Sequence, residues 1–318
     1  MSNLCNRRQL LGKAGLAAGA AMSAGATLTL ADESQSPAGA PFRYCLNTST
    51  IRGQSLSLVE EIEIAAKAGY DGIEPWMREV DAYVDGGGSL ADLRKRLDDR
   101  GLTVESAIGF AEWIVDDDAQ RARGLEAAKR DMDRLRQIGG LRIAAPPAGA
   151  QRQGGLDLFS IAQRYRVLLE LGQTMDVVPQ VEVWGFSQTL GRLGEVVFVA
   201  VESGHDQACV LPDVYHIYKG GSDFTGLKLL GGAAMHVFHV NDYPAAPARE
   251  ALNDGHRVYP GDGVAPLPSI LRNLRDSGFR GALSLELFNQ DYWSQDALAV
   301  ARTGLEKTKA AVAMSLEG

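Results

Sequence analysis

Four segments in the second half of this 318-residue chain carry reactive side chains in surroundings that should not tolerate them. Gln180-Val-Glu182-Val-Trp184 sets an acid between valines, and Leu211-Pro-Asp213-Val-Tyr215-His216 sets an aspartate among mostly apolar residues. Val237-Phe-His239-Val-Asn241-Asp242 does the same with a histidine, and Leu283-Ser-Leu-Glu286-Leu-Phe288 with a second glutamate. An unpaired carboxylate is costly to bury, and a cation is the simplest compensation. Taken singly, each acid could equally pair with an arginine or cap a helix, and a lone histidine is more often a satisfied core residue. Agreement across four consecutive segments points instead to one divalent metal ion held by Glu182, Asp213, His239 and Glu286. Such an oxygen-rich set with one imidazole suits Mn²⁺, Zn²⁺, Mg²⁺ or Co²⁺ and does not choose among them.

Other residues are candidates for contacting a substrate. His216 follows Asp213 at i+3, so a helical turn there would bring it near the metal. Glu74, in Gly72-Ile-Glu-Pro-Trp76, would hydrogen-bond a substrate or a metal ligand, a structural ion pair being the plain alternative. Arg257, in the turn-rich Arg257-Val-Tyr-Pro-Gly-Asp-Gly263, and Lys219, before Gly220-Gly221, are placed to clamp a substrate oxygen. Trp184, with Trp76 and Trp113, offers aromatic walls for a sugar ring, although packing under loops explains such residues equally well.

Groups so spread along the sequence need a scaffold that gathers strand ends. From Phe42 onward, β-type segments alternate with longer helical ones. Strands are expected at Phe42–Asn47, Gly72–Pro75, Thr103–Ile108, Leu141–Ala145, Val177–Trp184, Ala208–Pro212, His236–Asn241 and Ala282–Leu287. Amphipathic stretches at Leu58–Ala68, Leu90–Arg100, Ala119–Ile138, Asp157–Gly172 and Leu267–Ser277 fall between them. Three of these stop at a glycine that leads straight into the next strand: Gly69, Gly101 and Gly278. Eight strand–helix repeats imply a parallel sheet with right-handed crossovers, closed as a single-domain (β/α)₈ TIM barrel of the α/β class. An open doubly wound sheet is the alternative, but no glycine-rich phosphate loop follows the first strand. Active-site groups of a barrel come from the C-terminal ends of several strands, where the four candidate ligands lie.

The N-terminus has a different character. Asn6-Arg7-Arg8-Gln9-Leu10-Leu11 precedes an Ala/Gly-rich, weakly apolar run, and small residues follow at Ala24-Gly-Ala26 and Ala31. Residues 1–31 therefore read as a Tat-type signal peptide, with residues 32–41 as a linker and 42–318 as the barrel. The mature chain is then expected in the periplasm or another extracytoplasmic space, without a membrane span. Residues 1–31 contain Arg7, Arg8, Lys13 and no acids, so removing them takes the net charge from −8 to −11. An acidic chain without a basic block is a poor ligand for nucleic acid, and a homo-oligomer is compatible with everything above. Cys45 and Cys209 lie in apolar segments and read as buried thiols, not as a disulfide framework.

The segments His239-Val-Asn-Asp242, Arg257-Val-Tyr-Pro-Gly-Asp-Gly263 and Leu283-Ser-Leu-Glu-Leu-Phe288, in that order, resemble the xylose-isomerase-like barrel superfamily of sugar isomerases and epimerases. Within it, the look is that of the inosose (2-keto-myo-inositol) isomerases. The likeness extends back through Leu211-Pro-Asp-Val-Tyr-His216 and Val181-Glu-Val-Trp184 to Cys45-Leu-Asn-Thr48. The resemblance implies that Glu182, Asp213, His239 and Glu286 are the metal ligands, that Glu182 and Glu286 also serve as the acid/base pair, and that His216 meets the substrate.

The expected function is thus a metal-dependent isomerase or epimerase of a sugar, keto-sugar or inosose. Proton transfer between carbons would pass through a metal-stabilised enediolate, with Glu182 and Glu286 on either face. One rival is a metal-dependent lyase or dehydratase on keto-sugars or keto-glycosides, which would expel a leaving group from the same enediolate. Another is a non-catalytic, exported carbohydrate-binding barrel. A DNA-repair endonuclease would need more histidines than the five available.

Overall fold

The computed structural model describes residues 41–317. The expected signal peptide and most of the linker lie outside them. Eight parallel strands run β1 Arg43–Asn47, β2 Gly72–Glu74, β3 Thr103–Val104, β4 Arg142–Ala145, β5 Val178–Glu182, β6 Val210–Leu211, β7 Val237–Val240 and β8 Ala282–Leu285. Ladders join them in the orders β3-β2-β1-β8-β7 and β4-β5-β6. Single bridges span the two gaps, Ala107 to Ile143 on one side and Val210 to Met235 with Asp213 to His239 on the other. The sheet therefore closes on itself as a (β/α)₈ barrel.

The surrounding helices are α1 Leu58–Ala68, α2 Met77–Asp85, α3 Leu90–Asp99, α4 Asp118–Gln137, α5 Leu158–Met175, α6 Leu193–Glu202, α7 Val214–Lys219, α8 Leu267–Asp276, α9 Gln290–Trp293 and α10 Ala297–Leu316. Local chemistry sets their ends. Ser57 and Glu60 form a capping box on α1, which closes at Gly69 in the left-handed region (φ 93°), the first of the three expected glycine stops. Gly101 and Gly278 also have positive φ. Between β5 and β6, where the strand–helix repeat calls for a helix, the valine-rich segment Leu193–Glu202 forms α6. Its residue types favour a strand, but its packing against α5 and the need for a crossover between parallel strands override that preference.

Strand alternation decides what the barrel interior holds. Leu46, Ile73, Val181, Phe238, Leu283 and Leu285 face outward into the main core beneath the helices. Cys45, Ala144, Leu211, Val237 and Ala282 form a separate small apolar plug inside the barrel. One pleat further along, the inward positions become polar: Asn47, Glu74, Glu182, His239, Ser284 and Glu286, all buried. Register aligns them, pairing Asn47 with Glu74 and His239 with Ser284. A dry apolar floor thus supports a polar layer at the C-terminal mouth.

Candidate metal centre and active site

Each expected ligand is aimed by its own element. Asp213 caps α7, its Oδ1 accepting from His216 N at 2.7 Å, which leaves Oδ2 facing the barrel axis. Glu286 follows β8, where Thr50 brackets the backbone by donating to Leu285 O and accepting from Leu287 N. His239 is wholly buried and lies against four carboxylates. Its Nδ1 stands 3.3 Å from Glu286, 3.8 Å from Asp213 and 3.9 Å from Glu182, yet makes no aligned hydrogen bond.

The opposite ring nitrogen, Nε2, is 3.0 Å from Glu74 Oε2. That oxygen also accepts from Asn47 Nδ2 at 2.9 Å and Ser284 Oγ at 2.6 Å. Glu74 therefore places a proton on Nε2, and Nδ1 faces the three remaining carboxylates, carrying a proton in the metal-free protein and offering a lone pair only when a cation is held there. Donor atoms of Asp213, His239 and Glu286 lie within 4.8 Å of one another, a possible metal site. Glu182 lies beside this trio through its 3.9 Å approach to His239, and its Oε2 is buried without a partner.

Electrostatics agree with the geometry. Burial lifts Glu182 to about 8, Glu286 and Asp213 adding to the shift while His239 opposes it. Burial alone would depress His239, yet Glu286 and Glu74 hold it well above the usual imidazole range. Burial would raise Glu286, but His239 and Arg257 keep it well below the usual carboxylate range. In the metal-free protein the two glutamates on β5 and after β8 are thus driven in opposite directions. Unpartnered Nδ1 and Oε2 atoms among buried carboxylates fit a cation. One testable consequence falls on Glu74. Glu74→Gln should weaken Mn²⁺ binding by about 10–100-fold, read by calorimetry, because a ligating imidazole loses its anionic partner.

Arg257 is 1% exposed and knits the site together. Its Nη1 donates to Asp213 Oδ2 at 2.9 Å and Glu286 Oε2 at 2.8 Å, and its Nη2 to Asp254 Oδ1 at 2.6 Å. It therefore grips candidate ligands where the sequence suggested a substrate oxygen. The loop that delivers it is organised by Asp242, whose carboxylate accepts from the N–H groups of Tyr243, Gly261, Gly263 and Ala265. A Cβ on Gly263 would come within 2.3 Å of Asp242 Oδ1, so the final glycine of the turn is a steric requirement. His216, pushed down by burial and by Arg257, receives Gly185 N–H on Nδ1 and faces Arg257 Nη2 at 3.0 Å on Nε2. A neutral imidazole can accept from only one of them.

The remaining candidates divide. Trp184 belongs to an arc of rings running Phe288, Trp76, Phe110, Trp184, Phe186, His216, with neighbouring centroids 5.0–6.0 Å apart. Phe110 and Phe186 are 42% and 47% exposed and supply open faces. Trp76 is covered, and Trp113 is buried below the loops with its Nε1 on Pro146 O. Lys219 does not join the site: its Nζ donates to the carbonyls of Arg249, Glu250 and Leu252, at 2.7–3.0 Å, and all its protons serve the loop. Sequence reasoning missed Asn47 and Asn241, the latter donating to Asp213 Oδ2 at 2.9 Å. Inward alternation along β1 and β7 was the available signal.

Comparisons with known proteins bear on this arrangement. A family model described as "Xylose isomerase-like TIM barrel" matches residues 62–311. An "Inosose isomerase" of Bacillus velezensis is 26% identical over 274 residues, covering 85% of this chain and 97% of its own. A "3-dehydroshikimate dehydratase" of Pseudomonas aeruginosa is 27% identical over 78% of this chain, but only 39% of its own length is matched. The crystal structure of the IOLI protein with a bound zinc atom superposes with a TM-score of 0.79 at 22% identity, covering 86% of this chain and 98% of its own.

Proposed function

We propose, since the chain belongs to the xylose isomerase-like TIM barrel family, that it is a divalent-metal-dependent isomerase or epimerase acting on a keto-cyclitol of the inosose type or a keto-sugar. The observation that carries this reading is His239, oriented by Glu74 at Nε2 so that Nδ1 faces Glu286, Asp213 and Glu182. Glu182, Asp213, His239 and Glu286 would hold the ion. When bound, it would stabilise, as a Lewis acid, negative charge on the ketone and adjacent hydroxyl oxygens.

The protein's own groups do the rest. Glu182 ends β5 and Glu286 follows β8, three strands round the barrel, so a ring bound between them would meet a carboxyl group on each face. One removes the proton from the carbon beside the ketone, and the other, or the same one, returns it. Arg257 keeps Glu286 ionised and oriented. The open faces of Phe110 and Phe186, with Trp184, would stack on the substrate and exclude water. The Arg7-Arg8 segment supports export by the Tat route to an extracytoplasmic space. Among the described residues, no helix is long and apolar enough to cross a membrane.

The test is a panel of keto-inositols, ketohexoses and 3-keto-glycosides incubated with the Mn²⁺-loaded chain. A product of unchanged mass is expected from at least one. A product lighter by one water would move the chain to the dehydratase reading. Absence of both conversion and Mn²⁺ binding would leave only a binding role.

A further inference from the structure

The aromatic arc at the mouth reaches further outward than one substrate ring can use. Trp76, Trp184 and Phe288 stand two residues beyond Glu74, Glu182 and Glu286, and Phe110 stands two beyond Ile108 of the apolar plug. These rings therefore form the next layer above the polar one. The Trp184 side chain is close enough to Glu182 to favour its ionised form, and Phe288 has the Arg257 guanidinium 4.9 Å from its centre. Trp184 and Phe288 would thus border whatever ring is held between the two glutamates.

Phe110 and Phe186 lie one step further out, on either side of Trp184, with centroids 6.0 Å and 5.3 Å from it. Both stay joined to the wall of the site, Phe110 through Trp76 at 5.0 Å and Phe186 through His216 at 5.6 Å. Exposure rises along the arc, from 8% at Trp76 to 42% at Phe110 and 47% at Phe186. Rings that merely packed beneath loops would be covered, as Trp113 is. Each step between centroids is comparable to the width of a six-membered ring, so a single sugar stacked on Trp184 leaves both phenylalanines bare. Open apolar surface continuous with a polar site marks a ligand groove. Trp184 and Phe186 lie only 29° from parallel, a platform suited to a flat partner.

We propose that Phe110 and Phe186, with Trp184 between them, form an outer subsite for a second, flat and apolar-faced group joined to the reacting ring, so that the preferred substrate is a keto-glycoside and not a free keto-sugar or keto-cyclitol. This rests on the isomerase reading for the location of the reacting ring, and deepens it. An aryl group and the C–H face of a second sugar share the required chemistry, and the probes separate them. They are the methyl and phenyl glycosides of 3-keto-glucose, and 3-keto-cellobiose with its ketone on the non-reducing ring. Binding to the Mn²⁺-loaded full chain is measured by calorimetry for wild type, the double variant Phe110→Ala/Phe186→Ala, and Phe186→Tyr.

Wild type should bind the phenyl glycoside, the disaccharide or both tighter than the methyl glycoside by about tenfold, and the tighter probe identifies the second group. That ratio should collapse toward unity in the double variant while Mn²⁺ affinity holds, and should persist in Phe186→Tyr, which keeps the flat face. Ratios near one for both probes in wild type, or a ratio that survives the double variant, overturn the proposal. Turnover of 2-keto-myo-inositol, which has no second group, separates the two readings. Mn²⁺-dependent turnover of it, with no preference among the three glycosides, removes the outer subsite and leaves the isomerase standing. A preference that tracks Phe110 and Phe186 in a chain inert to every keto substrate does the reverse.

Discussion

Glu286→Gln should yield a folded protein whose turnover of its keto substrate falls on the order of 10³-fold or more. The substitution keeps the shape of a side chain that is 4% exposed; Asn47 donates to Oε1 and Arg257 to Oε2, so the retained oxygen keeps one of these two donors. What disappears is the basic carboxylate that His239 and Arg257 keep ionised. A glutamine can neither accept the proton nor return it, so the loss should appear in kcat, with Mn²⁺ binding weakened but measurable. Glu182→Gln should behave similarly, because the second face of the ring loses its carboxyl group. Near-normal turnover by Glu286→Gln would remove the acid/base assignment while leaving the fold untouched.

Arg257→Met tests a different part of the account. Arg257 is the cation that Asp213, Glu286 and Asp254 share, each within 2.9 Å of its Nη atoms. Replacing it with an apolar chain of similar length leaves buried carboxylates without compensation, which should cost roughly 3–5 kcal/mol of stability in the metal-free protein. Added Mn²⁺ should restore a large part of that loss, since binding to the native state adds its own linkage free energy. Denaturant titrations of wild type and variant, with chelator and with Mn²⁺, measure both quantities. A variant as stable as wild type in chelator would mean that the carboxylates are not held as anions. A variant that Mn²⁺ fails to stabilise would mean that they do not converge on a cation.

Much of the barrel was legible because its signals are local. Each strand segment is a short apolar run, and glycine stops such as Gly69 mark where a helix ends whatever surrounds it. Positions of Glu182, Asp213, His239 and Glu286 were legible for a related reason, since an ionisable group inside a strand run must face the barrel interior or be wasted. What escaped is what only tertiary structure supplies. Lys219 looks in sequence like a substrate clamp, but its carbonyl partners, Arg249 to Leu252, are delivered by a distant loop. Glu74 gave no sign that its partner would be His239 Nε2, because only the barrel's closure brings β2 opposite β7. The valines of α6 carry strand propensity, and the crossover geometry overrules it.

The proposed proton transfer between carbons, carried out by Glu182 and Glu286 around a cation on His239, is tested most directly by hydrogen exchange with solvent. The purified chain, loaded with Mn²⁺ and supplied in D₂O with 2-keto-myo-inositol or whichever keto substrate the panel identifies, is followed by mass spectrometry. Deuterium should enter at the carbon beside the ketone as isomer forms, stop when the metal is chelated, and resume when Mn²⁺ is returned. Isomer formed without solvent deuterium and without dependence on metal, in wild type and Glu286→Gln alike, would contradict the account.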